Sequence, residues 1–498
     1  MIYITGVTML FFFAVLLLIA TFSSKMSARF GVPSLVIFIA LGMIFGSDGF
    51  NLIQFDDPIL AQQIAIACMI IILFEGGFST KKELLRLAFQ PAFSLATLGI
   101  IVTAVTLGLL SHLLIGLPLE SAILIGAIVS STDAAAVFAI FRNKRIEPKT
   151  AATIEVESAS NDPMAIILTI TIISFMQGEI TSWQLFLSKL LWQILAGLTI
   201  GYLLGKTAPH LINRIKLDSG GFYYVLILSL CFLSYGLADE LNTNGFLAVF
   251  IAGCYIGNAE FVYKQGIARF IEGLSTFSQV VLFLMLGLLV FPSNLIQNWQ
   301  HGIIIAVILT FIARPVAVFI CTIFWKYSLK EKLFICWGGI KGAVPIVLAT
   351  YPYVEGLEGG SYYFNVVFFV VLLSALIQGS SIDLVAKKLS LLAGNKTPNP
   401  FSFELIALQE TQSELLEYSV DKGSWLVNHS LQDIPWPQDS LVTAIVRQEE
   451  IITPRGDTVI KPKDLLFILL KNDYQEELLD LLDGSNGQND REGYSCQP

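Results

Sequence analysis

The sequence is short of charge. Only 14% of its 498 residues are charged, whereas 55% are hydrophobic, and a soluble protein of this size carries about 25% charged residues. This composition excludes an ordinary soluble domain and indicates a polytopic membrane protein. The net charge of −9 argues against nucleic acid as a partner, because nucleic-acid-binding proteins present basic surfaces.

Metal-binding and redox patterns are missing as well. The six cysteines are scattered without a CxxC pair, and the four histidines are dispersed with no HExxH motif. We therefore expect neither a disulfide framework nor a metal site other than one for a transported ion, and no cofactor. No basic residue precedes the first apolar run, so a cleaved signal peptide is not expected.

Long apolar runs dominate the first 390 residues, and about thirteen of them could cross a ~30 Å hydrocarbon layer. They lie near 5–23, 31–47, 60–78, 88–113, 119–141, 151–176, 184–205, 222–238, 244–257, 274–291, 301–325, 333–351 and 362–386. Basic residues cluster in alternate loops, such as Lys81, Lys82 and Arg86, and acids such as Asp56 and Asp57 lie in the others. The positive-inside rule then predicts an outside N-terminus and a cytoplasmic C-terminus in a cell membrane.

A weak repeat relates the two halves. "FIALGMIFG" (38–46) resembles "FIAGCYIG" (250–257), and "IILFEGG" resembles "VVLFLMLG", each pair seven runs apart. An odd offset gives the halves opposite directions through the membrane, which is typical of transporters. The same offset pairs "SSTDAAAV" (130–137) with "WGGIKGAVP" (337–345), and such polar and Gly/Pro breaks predict discontinuous helices at a binding site.

The ionisable residues expected to lie well inside the membrane are few, and each costs at least ~2.5–3.5 kcal/mol at mid-bilayer unless it has a partner or a function. They are Glu75, Asp133, Glu157, Asp162, Arg314 and Lys341. Glu157 is expected to form a structural ion pair with either Lys341 or Arg314, and the sequence leaves that choice open. Asp162 stands beside Pro163 without an obvious local cation, so we expect it to bind a mobile ion.

The chemistry around Asp162 favours exchange. A carboxylate in a wet pocket within the membrane can hold a proton or a dehydrated monovalent cation, but not both. Thr132, Ser158 and Asn161 supply the neutral oxygens that hard cations prefer. Because Asn161 rather than a second acid adjoins Asp162, one proton for one cation is the simplest stoichiometry, and exchange is expected to be electroneutral.

At these residues the sequence resembles the NhaP/NHE-type monovalent cation:proton antiporters. The resemblance covers residues 1 to about 390 and is carried by "FEGGF" (74–78), "SSTDAAAV", "ESASNDP", "ARP" (313–315) and "GGIKGAVP". It implies an all-α membrane domain of two inverted repeats, a homodimer, and Asp162 as the carboxylate for ion and proton. It further implies the surrounding residues Asn161, Ser158, Asp133 and the Thr132 backbone, a bracing ion pair at Glu157, and a possible cytoplasmic funnel at Glu75. Members usually carry arginine where Lys341 stands, and lysine lacks the bidentate fork.

The composition changes near residue 390. Residues 391–400 read as a linker, 401–484 as a small α+β domain of strands and one helix, and 485–498 as a disordered tail. The domain resembles the TrkA-C (RCK C-terminal) domain of potassium transport systems. That resemblance implies a regulatory, often dimeric module that in some relatives binds a small effector such as a cyclic dinucleotide.

Other classes fit less well. A potassium channel would need a TVGYG-like filter, which is missing. "GYLLGKT" (201–207) is one residue short of a P-loop, which argues against an ATP-driven pump, and neither Asp133 nor Asp162 has the GxGD context of an intramembrane protease. The sequence thus predicts a secondary antiporter and no enzyme. Potassium is favoured as substrate because of the tail, and sodium remains an alternative.

Overall fold

A computed structural model describes residues 6–30, 33–53, 55, 57–133, 137, 144–217, 219–295, 298–395, 413–420, 423–447, 450–471 and 474–482. The chain divides into two compact units, Met1–Lys396 and Thr397–Pro498. The predicted disordered tail, 485–498, lies outside the described residues.

The first unit is built from helices. Of the described helices, eight are long and apolar enough to cross a membrane, and shorter apolar helices lie between them, which confirms the predicted all-α polytopic fold. The helices are α1 Gly6–Phe30, α2 Ser34–Phe45, α3 Pro58–Ser79, α4 Lys82–Ile115, α5 Leu119–Ile128, α6 Pro148–Met176, α7 Trp183–Ile215, α8 Gly220–Glu240, α9 Gly245–Gly257, α10 Lys264–Leu289, α11 Pro292–Leu295, α12 Trp299–Cys321, α13 Leu329–Trp337, α14 Ala343–Leu348, α15 Tyr351–Val354 and α16 Gly360–Lys388.

Two apolar runs are interrupted, as the sequence predicts. In one, α5 ends at Ile128 and the chain is non-helical as far as Asp133; residues 134–136 and 138–143 lie outside the described part. In the other, residues 338–342 separate α13 from α14. Interrupted backbone at membrane depth is tolerated where protein or a water-filled cavity surrounds it.

The helices that carry the repeated motifs pack in two pairs, each with one helix from either half of the chain. α2 packs on α10, and α3 packs on α9. A Cβ added to Gly42 would lie 2.8 Å from the Cα of Gly287, and one added to Gly253 would lie 3.3 Å from the Cα of Gly77. Gly42 and Gly253 hold corresponding places in the two copies of the motif. The inverted repeat therefore appears in the structure as two related close approaches of helix backbones.

Three of the long helices contain five-residue π-helical segments, Leu95–Gly99 in α4, Leu309–Ala313 in α12 and Ala375–Gly379 in α16. Such segments shift the register of the side chains that follow them and are frequent at functional sites. The segment in α12 ends directly before Arg314.

A small antiparallel sheet closes the first unit. β1 (Lys144–Ile146) pairs with β2 (Leu392–Asn395). The stretch predicted as a linker, 391–400, thus contains a paired strand over four of its residues. This pairing ties the segment before α6 to the segment after α16.

The second unit is a small α+β domain, as the sequence predicts. Its sheet has the antiparallel order β3–β6–β4–β5, and helix α17 follows the last strand. These elements are β3 Ser413–Ser419, β4 Leu441–Arg447, β5 Glu450–Ile452, β6 Leu465–Lys471 and α17 Gln475–Leu482. Side chains of β4, β6 and α17 form its core, among them Ile445, Leu466 and Leu478.

A buried ion pair holds one end of that sheet. Arg447 donates from Nε and Nη2 to the two oxygens of Asp464, at 2.8 and 2.7 Å, and Asp464 is fully buried. These hydrogen bonds raise the pKa of Arg447 above its usual value. The guanidinium therefore remains charged at every physiological pH.

Candidate functional site

The centre of the first unit contains a buried ion pair between α6 and α12. Arg314 donates from Nη1 to Oε1 of Glu157 at 2.5 Å and from Nη2 to Oε2 at 2.9 Å. Both side chains are buried, and Arg314 also donates to the carbonyl oxygen of Ile335 at 3.3 Å. The partner of Glu157, left open by the sequence, is therefore Arg314.

Lys341 has a different role. Its ammonium group donates to the carbonyl oxygens of Ser131 at 2.9 Å and Ser130 at 3.3 Å, and its side chain is 1% exposed. These carbonyls belong to the non-helical stretch that follows α5, and buried backbone carbonyls need a hydrogen-bond donor. Lys341 thus stabilises the interrupted backbone of the other half. Lysine suffices here because single carbonyl oxygens, rather than a carboxylate, are its acceptors.

The two interruptions also contact each other through Asp133. Its backbone N–H donates to the carbonyl oxygen of Ile340 at 2.7 Å. A Cβ added to Gly342 would lie 2.5 Å from Oδ2 of Asp133, so only glycine leaves room for this carboxylate. Asp133 therefore lies beside the start of α14, and Lys341 beside the end of α5.

Hydrogen bonds join Thr132 to α6. Asn161 donates from Nδ2 to the hydroxyl oxygen of Thr132 at 2.7 Å, and its Oδ1 accepts the Thr132 N–H at 3.3 Å. Ser158 donates to the Thr132 carbonyl oxygen at 2.8 Å. One turn of α6 thereby fixes both the backbone and the side chain of Thr132, because Ser158 and Asn161 are three residues apart and lie on the same side of the helix.

Asp162 lies next to these groups. It interacts electrostatically with Asp133 and Lys341, and with the side chain of Ser131. Asp162 and Asp133 are each half-buried, whereas Glu157, Arg314 and Lys341 are buried. Of these charged groups, the two aspartates therefore have the larger exposed fractions.

The remaining candidate, Glu75, lies apart in the last turn of α3. It is half-buried and accepts a hydrogen bond from Ser79 at 2.7 Å. Its neighbouring charge is Glu272 on α10. The structure thus places Glu75 near the end of α3, and its assignment to a cytoplasmic funnel stays a prediction.

Sequence reasoning missed a polar set on α16. Ser374 accepts the Lys341 N–H at 3.1 Å and donates to Gln378 at 2.5 Å, and Gln378 donates to the carbonyl oxygen of Trp337 at 3.3 Å. Both residues are buried. They hold the two ends of the interruption between α13 and α14. The sequence feature that could have predicted this set is a pair of polar residues, four positions apart, in the apolar run "SALIQGS".

Comparison with known proteins agrees with this architecture. The family described as "Sodium/hydrogen exchanger, transmembrane" matches residues 13–388, and the TrkA-C domain matches residues 415–483. The chain is 37% identical over 462 residues to the K(+)/H(+) antiporter NhaP of Alkalimonas amylolytica, covering 92% of this chain and 80% of the relative. It is 35% identical over 476 residues to the K(+)/H(+) antiporter NhaP2 of Shewanella oneidensis, covering 94% and 82%.

A solved structure is similar too. The sodium proton antiporter of Methanocaldococcus jannaschii, determined at pH 8, matches with a TM-score of 0.69 and 25% identity, over 76% of this chain and 98% of that one. The match with the exchanger family extends over the whole interrupted-helix region described above. The chain therefore belongs to the sodium/hydrogen exchanger family, and it carries a TrkA-C domain after its membrane unit.

Proposed function

We propose that this protein exchanges a monovalent cation for a proton across the cell membrane, with potassium favoured over sodium. The two relatives described above are both named K(+)/H(+) antiporters, and these names support potassium. The sodium proton antiporter of similar structure keeps sodium as the alternative.

The proposal of one-for-one exchange rests on the number of positive and negative charges in the site. Glu157 and Arg314 neutralise each other in a closed ion pair. Asp133, Asp162 and Lys341 then contribute two negative charges and one positive charge. One net negative charge remains on the accessible carboxylates, and it is neutralised by either one proton or one monovalent cation. Exchange of one for the other moves no net charge, so transport is electroneutral.

Each residue then has a distinct task. Asp162 carries the proton or the cation, and Asp133 shares its electrostatic environment. Asn161, Ser158 and Thr132 shape the oxygen-lined site, because their mutual hydrogen bonds fix the amide, hydroxyl and carbonyl groups next to Asp162. Glu157 and Arg314 stabilise the packing of α6 against α12, and Glu75 belongs to the cytoplasmic funnel.

The alternation of basic and acidic loops supports an outside N-terminus and a cytoplasmic C-terminus. We further propose that the protein is a homodimer and that the TrkA-C domain regulates transport. A small effector such as a cyclic dinucleotide would act there by binding one arrangement of the domain more tightly than another.

The test is cation-driven proton movement in everted membrane vesicles. Respiration acidifies the vesicle lumen, and a pH-sensitive dye reports proton release when potassium or sodium chloride is added. The proposal expects release with potassium at lower concentration than with sodium, and none in vesicles without the protein. Release with sodium alone would assign the sodium alternative, and a response to neither cation would contradict antiport.

A further inference from the structure

An open cavity lies where three membrane helices end together. Its volume is about 560 Å³, and neither Asp162 nor Glu157 is among the residues that line it. Lys82 is the first residue of α4, Lys149 is the second residue of α6, and Trp325 follows the end of α12 at Cys321. Because all three lie at ends of membrane-crossing helices, the cavity is at the boundary between hydrocarbon and water.

The polar wall of the cavity is basic. Lys82, Arg86 and Lys149 line it, and no acidic side chain does among the described residues. Lys149 is held in place, because its ammonium group donates to the carbonyl oxygen of Lys326 at 2.7 Å and lies 4.1 Å from the centre of the Tyr327 ring.

Two acids at the Lys149 end of the cavity have other hydrogen-bond partners. Glu147 accepts the N–H and the hydroxyl of Thr150, and Glu331 accepts the Ser328 N–H and the Thr150 hydroxyl. Glu331 also interacts with the charge of Lys149. Lys82 and Arg86 have no such neighbour among the lining residues, so the cavity as a whole attracts anions.

The apolar wall continues into the membrane. Phe89 and Phe93 stack on the same side of α4 as Lys82 and Arg86, with ring centres 5.5 Å apart, and each ring is 51% exposed. Trp325, which follows α12, donates its indole N–H to Gln90 of α4 at 3.3 Å. Tryptophan is enriched at the membrane–water interface.

We propose that this cavity binds the headgroup of an anionic phospholipid, with an acyl chain lying along Phe89 and Phe93. A phosphodiester matches the fork of Arg86 and the two ammonium groups. The exposed rings of Phe89 and Phe93 argue for a lipid rather than a soluble anion. Only a lipid has both a charged headgroup for the basic residues and an apolar chain for these rings. This site lies beyond the antiport proposed above and does not depend on it.

Quenching of tryptophan fluorescence by lipids brominated on their acyl chains tests the proposal. The full-length protein is placed in vesicles of phosphatidylcholine containing a small fraction of brominated phosphatidylglycerol or, separately, brominated phosphatidylcholine. Trp325 is one of seven tryptophans, so its signal is the difference between a protein and its Trp325→Phe version. Trp325 is expected to be quenched preferentially by the anionic lipid.

Two triple variants measure the contribution of the cavity. Lys82→Gln, Arg86→Gln and Lys149→Gln together should lower the preference for the anionic lipid by roughly tenfold or more, since each basic residue near an anionic surface contributes substantially. Lys206→Gln on α7, Lys216→Gln directly after it and Lys388→Gln at the end of α16 remove the same charge from exposed positions outside the cavity and should leave the preference unchanged. Both variants are checked for monodispersity and for cation-driven proton exchange.

Three results would overturn the assignment. Equal quenching of Trp325 by the two brominated lipids would show that the cavity does not select anionic headgroups. An unchanged preference in the first triple variant would remove the basic residues from the recognition. Full recovery of Trp325 emission on adding inorganic phosphate, with no lipid dependence afterwards, would assign the cavity to a soluble anion.

Discussion

The ammonium group of Lys341 lies 2.9 Å from the carbonyl oxygen of Ser131. The two residues belong to the two different interruptions, so one side chain from the second half binds the broken backbone of the first. This contact explains why a lysine is placed in a buried, apolar part of a membrane protein. It leaves Arg314 as the partner of Glu157, and Asp162 with Asp133 as the accessible acids.

Replacing Lys341 with methionine is expected to destabilise the protein by about 3–5 kcal/mol, because a buried set of charges loses one member. The carbonyls of Ser130 and Ser131 lose their donor at the same time. Thermal unfolding in detergent measures the effect. Lys206→Met, at an exposed position, is the control and should change stability by less than about 0.5 kcal/mol.

The ion pair between Glu157 and Arg314 predicts a non-additive result. Glu157→Gln or Arg314→Met alone should each cost about 3–5 kcal/mol, whereas the double variant should be much less destabilised, because no uncompensated charge stays buried. Thermal melts of the four proteins give the coupling energy. A larger coupling between Glu157 and Lys341 would contradict the ion pair seen here.

Gly342 is expected to be indispensable. A Cβ there would lie 2.5 Å from the carboxylate of Asp133, so Gly342→Ala must displace either that carboxylate or the backbone of the second interruption. We expect cation-driven proton exchange to fall at least tenfold, about 1.4 kcal/mol in the barrier. Gly76→Ala, where a Cβ meets nothing within 4 Å, is the matched control. Equal activity of the two variants would mean that the close approach does not matter.

Much of this arrangement could be predicted from the sequence, because a membrane imposes strong patterns. Long apolar runs predicted the helices. Clusters of glycine, proline and polar residues predicted the interruptions, which the structure shows at 129–133 and 338–342. Thr132, Ser158 and Asn161 were expected to lie around one site, and hydrogen bonds join the three residues.

The partner of Glu157 could not be chosen from the sequence. Both candidates are cations in apolar runs, and the choice depends on the π-helical segment that ends at Ala313, whose register the sequence pattern does not encode. The β1–β2 pairing was also missed. Its strands are only three and four residues long, too short to show an alternating pattern, and their pairing joins segments distant in sequence.

The second unit provides a test of regulation. Deleting Thr397–Pro498 keeps β2, which ends at Asn395 and belongs to the first unit. We expect the shortened protein to exchange ions but to change its cation or pH activation curve and to lose any response to a small effector. Activation curves identical to those of the full chain, with every ligand tested, would make the domain an assembly module.

Asp464→Asn tests the same point in a full-length chain. The substitution removes the charge that balances Arg447, so the second unit should lose about 3–5 kcal/mol of stability and become sensitive to protease. Exchange should persist with the altered activation curve of the truncated protein. A protease-sensitive domain together with a normal activation curve would argue against regulation by this unit.

The account depends most on Asp162, and one measurement tests it directly. Purified wild-type protein and Asp162→Asn are reconstituted into proteoliposomes, and internal pH is followed after an outward or inward potassium gradient is imposed. The variant keeps the size of the side chain but can neither release a proton nor carry a negative charge, so proton movement should vanish although thermal unfolding and monodispersity remain comparable with wild type. Potassium-driven proton movement near the wild-type rate in Asp162→Asn would contradict the central claim that this carboxylate binds the proton and the cation in turn.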